Sequence, residues 1–385
     1  MGGSLGGLTA GLLLRDLGLD VTIHERANEE LRERGAGIGF LPDSSRYLVE
    51  RAGVALDDIS TATDVIRYYD RRGDVLHERR HRYRFSSWNT VYHRLLAAFG
   101  PERYRLGQEV VARRELGERV AFDLADGSSG EADLLVCADG VGSTFRALLL
   151  PDAHRRYSGY VAWRGMVPEG ELGASTREEL GEAISYYVYA NSHILVYPIP
   201  GPDGSVRAGE RLINFVWYRN YLDGADLVDL LTDASGARRE LSLPPGTVRD
   251  HHVAELHATA TARLPPRVAE VVHATPTPFL QVVYDLEVSR MVFGRTCLIG
   301  DAAWVARPHA AAGTAKAAAD GWALAGALAT HDSIPEALAA WEPGQMELGR
   351  QLVERTRRIG FRSQVSCTWD PTDPDFLFRL REEGP

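Results

Sequence analysis

Gly2, Ser4 and Gly7 stand at the spacing of a G-x-G-x-x-G turn, with serine in the central slot and Leu5 beside it. Small residues so spaced let a backbone approach a pyrophosphate, and a helix starting there aims free N–H groups at the phosphates. Glu25 follows at close to the roughly 20-residue distance at which a carboxylate receives the ribose hydroxyls of a dinucleotide, with Arg26 next to it. Two more acids close apolar runs. Asp139 ends LLVCAD ahead of Ser143 and Arg146; Asp301 ends TCLIGD ahead of Pro308, Gly313 and an alanine-rich stretch to about Ala329. An aspartate at a strand end, before a loop and a helix, can bond the hydroxyls of a sugar-like chain, although the same position suits an N-cap. A helix beginning near Thr314 and Ala315 would point its positive end at developing negative charge.

Aromatic segments supply candidates for the wall of a cavity holding a planar ring: Tyr160, Tyr197, Trp217 and Tyr218. Most rings of this cluster are expected only to pack the core. His309, beside Pro308, is a candidate to touch a substrate hydroxyl, against the plainer reading of a solvent-facing loop histidine.

Positioning these groups takes strands with helices behind them. Leu8, Leu12, Leu13 and Leu17 recur at helical spacing, and Gly18 is a natural stop. VTIHER reads as a strand, and LLVCA and TCLI read as strands covered on both faces. A glycine turn of this kind normally follows a central strand, and no apolar strand precedes Gly2; either the start codon lies further upstream or the sheet is incomplete. In the middle, VIRYYDRRGDVLHERR, YVAWRGMV, AISYYVYANSHILVYPIPG and RLINFVWYRNYL alternate as half-exposed strands do, the first as a hairpin through RRGD. PEALAAWEPGQMELGRQLVERTRRIG is helical, with a break expected at Pro343-Gly344.

The 385 residues are 44% hydrophobic and 25% charged, ordinary values for a chain that buries a sizeable core. A net charge of −10 argues against nucleic acid or an anionic membrane as main partner. The three cysteines are far apart, which is neither a disulfide framework nor a metal pattern. With neither an export signal nor an apolar run of membrane-spanning length, a cytoplasmic protein is expected. Of the 43 basic residues only Lys316 is a lysine.

GGSLGG with Glu25, CADG and the GDA…Pro…Gly block together resemble the single-component FAD-dependent aromatic hydroxylases, of the para-hydroxybenzoate hydroxylase type. FSSWNTVYHRLLAAFGPERY, GYVAWRG, VYDLEV and ARPHAAAGTAKAAADGWAL look like the 2,6-dihydroxypyridine 3-monooxygenase sub-family within it. The resemblance runs from Gly2 to TWDPTDPDF. It implies an α/β fold with a Rossmann-like FAD-binding domain, discontinuous over 1–64, 87–155 and 284–330, whose first strand is missing. A β-sheet substrate domain over 65–86 and 156–283 and a helical C-terminal segment over 331–385 complete it.

The same resemblance implies that Gly2, Ser4, Leu5 and Gly7 line the FAD pyrophosphate, with Glu25 on the adenosine ribose and Arg26 nearby. Gly37 and Ile38 would lie along the flavin, Asp139 near FAD and the nicotinamide, and Asp301 on the ribityl and phosphate region. Pro308 would flank the isoalloxazine, and Gly313, Thr314 and Ala315 its pyrimidine edge. Trp88 stands where many such proteins carry an FAD-contacting arginine, and Arg94 is out of register for that role. The implied activity is hydroxylation of an electron-rich ring, a hydroxylated pyridine or related N-heterocycle, through a flavin hydroperoxide, with NADH or NADPH as donor, O₂ as co-substrate and a homodimer as the expected assembly. Hydroxylation or epoxidation of a phenolic or polycyclic natural product, and an FAD-less form without turnover, remain the alternatives. No WxW stretch of the flavin halogenases occurs, and a plain NAD-dependent dehydrogenase would lack the GDA…Pro…Gly block.

Overall fold

Residues 1–31 and 36–381 are described in a computed structural model of the chain. Nine strands form one large sheet in the order Ser242–Leu243, Phe279–Asp285, Arg156–Pro168, Leu212–Asn220, Ser192–Ile199, Ala183–Tyr189, Thr61–Tyr69, Val75–Ser87 and Gly37–Gly39. Neighbours are antiparallel except Ala183–Tyr189, which runs parallel to Thr61–Tyr69. The RRGD hairpin is there: Asp70 Oδ1 accepts the N–H groups of Arg72 and Asp74, and Gly73 takes φ +94°.

The central strands are not half-exposed, as their alternation suggested. Ser192–Ile199 is buried at every position. One face carries Trp163, Trp217 and Val196 against Leu256 and Ala260 of the helix Asp250–Arg263 and Val268 of Pro266–Ala274. The other carries Tyr160, Tyr197 and Tyr218, with Phe378 from the C-terminal segment. Alternation here separates two covered faces rather than core from water.

The glycine turn leads into the helix Leu5–Asp16, which ends with Gly18 at φ +82°. Gly313–Thr330 packs on it closely: a Cβ on Gly321 would lie 3.2 Å from the Ala10 Cα, so these helices meet through small residues. Only Ile23–His24 of VTIHER is strand, paired in parallel with Tyr104–Arg105. Leu135–Cys137 pairs in parallel with Thr296–Leu298. Residues 1 and 2 bridge these two ladders. The Met1 amine donates to the Val136 carbonyl at 2.6 Å, Ala138 N–H donates to the Met1 carbonyl at 2.8 Å, and Gly2 N–H donates to the His24 carbonyl at 2.8 Å. A slot of about 930 Å³ continues beside them, lined on its buried side by Ala10, Leu14, Ile23 and Leu135.

The expected break at Pro343-Gly344 is absent. Ile334–Gln364 runs as one helix through both residues, because they sit on its exposed side, where water can satisfy the carbonyl that proline leaves without a donor. Ser333 caps its start by accepting Glu336 N–H. Among the described residues no helix is long and apolar enough to cross a membrane.

Candidate active site

Two helix N-termini open onto one groove without a side-chain cap: Leu5–Asp16, whose Ser4 caps nothing, and Gly313–Thr330. Their first-turn N–H groups are therefore available to an acceptor. The groove has one section of about 300 Å³, lined by Gly2, Ser4, Glu25, Arg26 and Asp139, and a second of about 350 Å³, lined by Leu5, Gly37, Ile38, Asp301, Pro308, Gly313 and Thr314. Ser4, Trp88, Ala138 and Gly140 line both sections and join them. Gly7 and Ala315 lie behind the groove. A Cβ on Gly7 would fall 1.9 Å from the Gly2 carbonyl oxygen, so this glycine lets the helix close on the turn, and Ala315 is wholly buried.

The acids are held in distinct ways. Glu25 accepts the N–H groups of Gly3 and Ala27, which fixes its carboxylate at the mouth of the first section. Asp139 accepts Phe145 N–H through Oδ2 and leaves Oδ1 buried without a partner. Asp301 opens onto the second section with its side chain exposed there; the protein packed around it raises its pKa, and the charges of Lys316 and Arg146 oppose this. Its loop is pinned from below. Asp320 Oδ2 accepts Gly300 N–H at 2.7 Å and pairs with Lys316 Nζ at 2.7 Å, both side chains being buried. Arg146 spans the two acid-bearing loops, donating to the carbonyls of Val141, Asp301 and Ala302.

The large sheet forms the opposite wall with Arg164, Tyr197, Tyr218 and Gln281. Gly37 is gripped from this side: Asn214 Oδ1 accepts its N–H, while Arg164 Nη2 and the Tyr197 hydroxyl donate to its carbonyl. Tyr197 stacks on Phe85 with centroids 4.2 Å apart. Burial raises the pKa of Tyr197, with Arg164 working against the shift, so the phenol stays protonated.

His309 and Tyr160 lie one layer behind this wall and line neither section. Arg307 Nη1 lies 3.4 Å from the Tyr160 oxygen, which is 2.6 Å from His309 Nε2. Arg307 is itself held by both oxygens of Asp285. Burial drives His309 well below the usual histidine range and His193 to about 3, so both rings are neutral at ordinary pH. Tyr218 connects this layer to the cleft, its ring 4.6 Å from His309 and 4.5 Å from His193. Trp217 faces the other side of the sheet and belongs to the core.

The groove fits a dinucleotide carrying a planar ring. A Cβ at Gly140 or Gly313 would meet nothing within 4 Å, so bare backbone borders open space where the sections join and within the second section. Uncapped helix ends face that space, and carboxylates stand along it.

Comparison with known proteins decides which dinucleotide. Residues 157–285 match a family model described as FAD binding domain-like. The chain is 36% identical over 385 residues to the 2,6-dihydroxypyridine 3-monooxygenase of Paenarthrobacter nicotinovorans, covering 99% of this chain and 94% of that protein. The chain belongs to the FAD-dependent aromatic hydroxylases. The structure of the 2,6-dihydroxypyridine-3-hydroxylase from Arthrobacter nicotinovorans superposes on this hydroxylase with a TM-score of 0.93 at 35% identity, over 100% of this chain and 97% of that one. A Klebsiella pneumoniae protein solved with FAD and uric acid shares the fold, with a TM-score of 0.78 at 22% identity over 94% of this chain and 87% of that one. The hydroxylase is thus a monooxygenase that uses FAD to hydroxylate an aromatic ring.

Arg164, Gln281 and Asn214 carry the sheet wall of this hydroxylase and did not stand out in the sequence. One signal was present. In GYVAWRGM the alternation places Arg164 on the face of Tyr160 and Ala162, a charge among residues that otherwise cover apolar surface.

Proposed function

We propose that the substrate is a hydroxylated pyridine or a related N-heterocycle, hydroxylated on a ring carbon at the expense of NADH or NADPH and O₂. The reading is carried by the near full-length similarity to a 2,6-dihydroxypyridine 3-monooxygenase, and a second section of about 350 Å³ with a polar sheet wall suits a small planar ring.

In this reading Gly2, Ser4, Leu5 and Gly7 shape the pyrophosphate turn, and Glu25 with Arg26 receives the adenosine ribose. Asp139 would lie near FAD and NAD(P)H, and Asp301 would bond the ribityl and phosphate region. Gly37, Ile38, Pro308, Gly313 and Thr314 would border the flavin, with Ala315 behind them in the first turn of a helix whose free N–H groups would meet an acceptor on it. Bound FAD supplies hydride acceptance from NAD(P)H and activation of O₂. The sheet wall orients the ring and excludes water, with Tyr197 and Tyr218 as protonated phenols beside Arg164. His309 and Tyr160 support that wall from behind. The boundaries of the flavin, substrate and C-terminal parts are those stated from the sequence, and a homodimer in the cytoplasm, consistent with three free cysteines, completes the proposal.

The test is oxidation of NADH and NADPH by the FAD-loaded enzyme across hydroxylated pyridines and phenols, with the product analysed for a new hydroxyl. Dihydroxypyridines are expected to accelerate oxidation and to be hydroxylated. Acceleration by phenols alone would transfer the assignment to a phenolic substrate.

A further inference from the structure

We infer that Arg164 is the residue that selects the substrate by charge, receiving an oxyanion of the ring: a deprotonated hydroxyl conjugated with the π-system. This deepens the proposed function and rests on its assignment of the sheet-wall side of the second groove section to the ring.

Arg164 and Asp301 are the only charged residues that line that section among the described residues. Arg164 Nη1 donates to Gln281 Oε1 at 2.9 Å and Nη2 to the Gly37 carbonyl at 2.6 Å. Both partners are neutral, and no carboxylate among the described residues pairs with the guanidinium. Two other cations near the cleft are paired with carboxylates, whereas Arg146 donates only to backbone carbonyls. Arg307 is held by Asp285, and Lys316 by Asp320. A guanidinium taken partly out of water without a counter-charge is unfavourable unless an anion joins it.

The rest of the corner is built for the same ligand. Two of the five N–H donors of Arg164 are used, and the Nε–H is buried without a partner. The Tyr218 hydroxyl makes no hydrogen bond within the described residues, and burial holds its pKa far above the usual tyrosine value, so it can only donate to an anion. Gln281 uses its oxygen on Arg164, which leaves its amide N–H groups for the ligand. The spare capacity of Arg164 and Gln281 at this corner is all donor, and the Tyr218 hydroxyl can add a third donor. A neutral ether or a protonated ring hydroxyl would leave the charge uncompensated; an oxyanion would complete it, and the same charge on the ring raises its electron density at the carbon to be hydroxylated.

The test uses FAD-loaded protein without NAD(P)H, reading ligand binding from the flavin absorbance. The probes are 2,6-dihydroxypyridine and 4-nitrophenol, each at a pH where it is ionised, and the O-methyl ethers of both. Wild-type protein is expected to bind the anion over its ether by roughly 10- to 100-fold, the range of one charged hydrogen bond. The substitutions R164M and R164Q are expected to bring that ratio to within about threefold of unity, while R164K keeps part of it. The ratio cancels general damage to the site, because both ligands meet the same protein. Survival of the wild-type ratio in R164M would overturn the inference, as would its absence from wild type. Loss of FAD uptake in all three variants would overturn it too, since the residue would then serve to hold Gly37. If only the phenolate pair binds and R164M abolishes its ratio, the pyridine reading falls and the role of Arg164 stands.

Discussion

Lys316 is the only lysine in the chain and one of its most buried polar residues. A guanidinium serves at every other basic position, so a compact ammonium at this one answers to space: Nζ must reach both Asp320 and the Gly300 carbonyl from one turn of helix. Gly300 takes φ +59° there, the left-handed conformation that turns the chain from the buried strand Thr296–Leu298 into Asp301. K316M would leave the Asp320 carboxylate buried with no counter-charge, and the expected loss is about 3–5 kcal/mol of stability. Released Gly300 would also let Asp301 drift, so FAD should wash out on gel filtration. D320N keeps an acceptor for Gly300 N–H but leaves the buried Lys316 ammonium with no counter-charge, so a loss of about the same size, about 3–5 kcal/mol, is expected. Denaturant unfolding of the two variants, with FAD content measured alongside, checks this; equal stability of K316M and wild type would show that the pair holds nothing. The places of Glu25 and Asp301 along the groove could be read from sequence because glycines and apolar runs frame them. Arg164 and Lys316 could not, because their meaning depends on a partner, or the lack of one, supplied from another strand or turn.

At the level of elements, the helix Gly313–Thr330 gives the clearest separation of stability from function. Gly313 opens it with an ordinary φ, and a Cβ there would touch no protein atom. Nothing in the folded chain requires glycine at this position, and alanine is the better helix former. G313A should therefore stabilise the apoprotein by about 0.5–1 kcal/mol, through helix propensity and a less flexible unfolded chain. If the open space is where the flavin's edge approaches backbone, the added methyl should weaken FAD binding by about tenfold. Apoprotein melting and FAD titration together check the pair of effects; a gain in both stability and affinity would show that the flavin lies elsewhere. This helix, its glycine and the strand before it were all legible, since a buried strand, a turn and a small-residue run each leave a local mark. The strand faces were not, because alternation looks the same whether the second face meets water or another layer. Nor was the unbroken C-terminal helix, since whether a proline breaks a helix depends on which side of it faces solvent.

Across the whole molecule, the two parallel ladders either side of residues 1 and 2 behave as parts of one sheet joined at a single point. Met1 bonds to the strand Leu135–Cys137 in the pattern of a parallel neighbour, and Gly2 bonds across to His24. The slot beside them runs on between the same strands, and its buried lining of Ala10, Leu14, Ile23 and Leu135 is apolar. A strand laid there would pair on both edges and cover those side chains. Extending the chain at Met1 by five residues of alternating valine and isoleucine should then couple the ladders, whereas a glycine–serine extension of equal length should not. A net gain of about 2 kcal/mol corresponds to a rise in Tm of roughly 2–3 °C for a chain of this size. The coupling would reach the groove as well, because both ladders end in residues that line it: Glu25 after one and Asp139 after the other. FAD should accordingly dissociate more slowly from the valine–isoleucine form. Equal Tm and equal FAD release in the two extended forms would mean that the slot does not take a strand, and that residues 1 and 2 alone set the distance between Glu25 and Asp139.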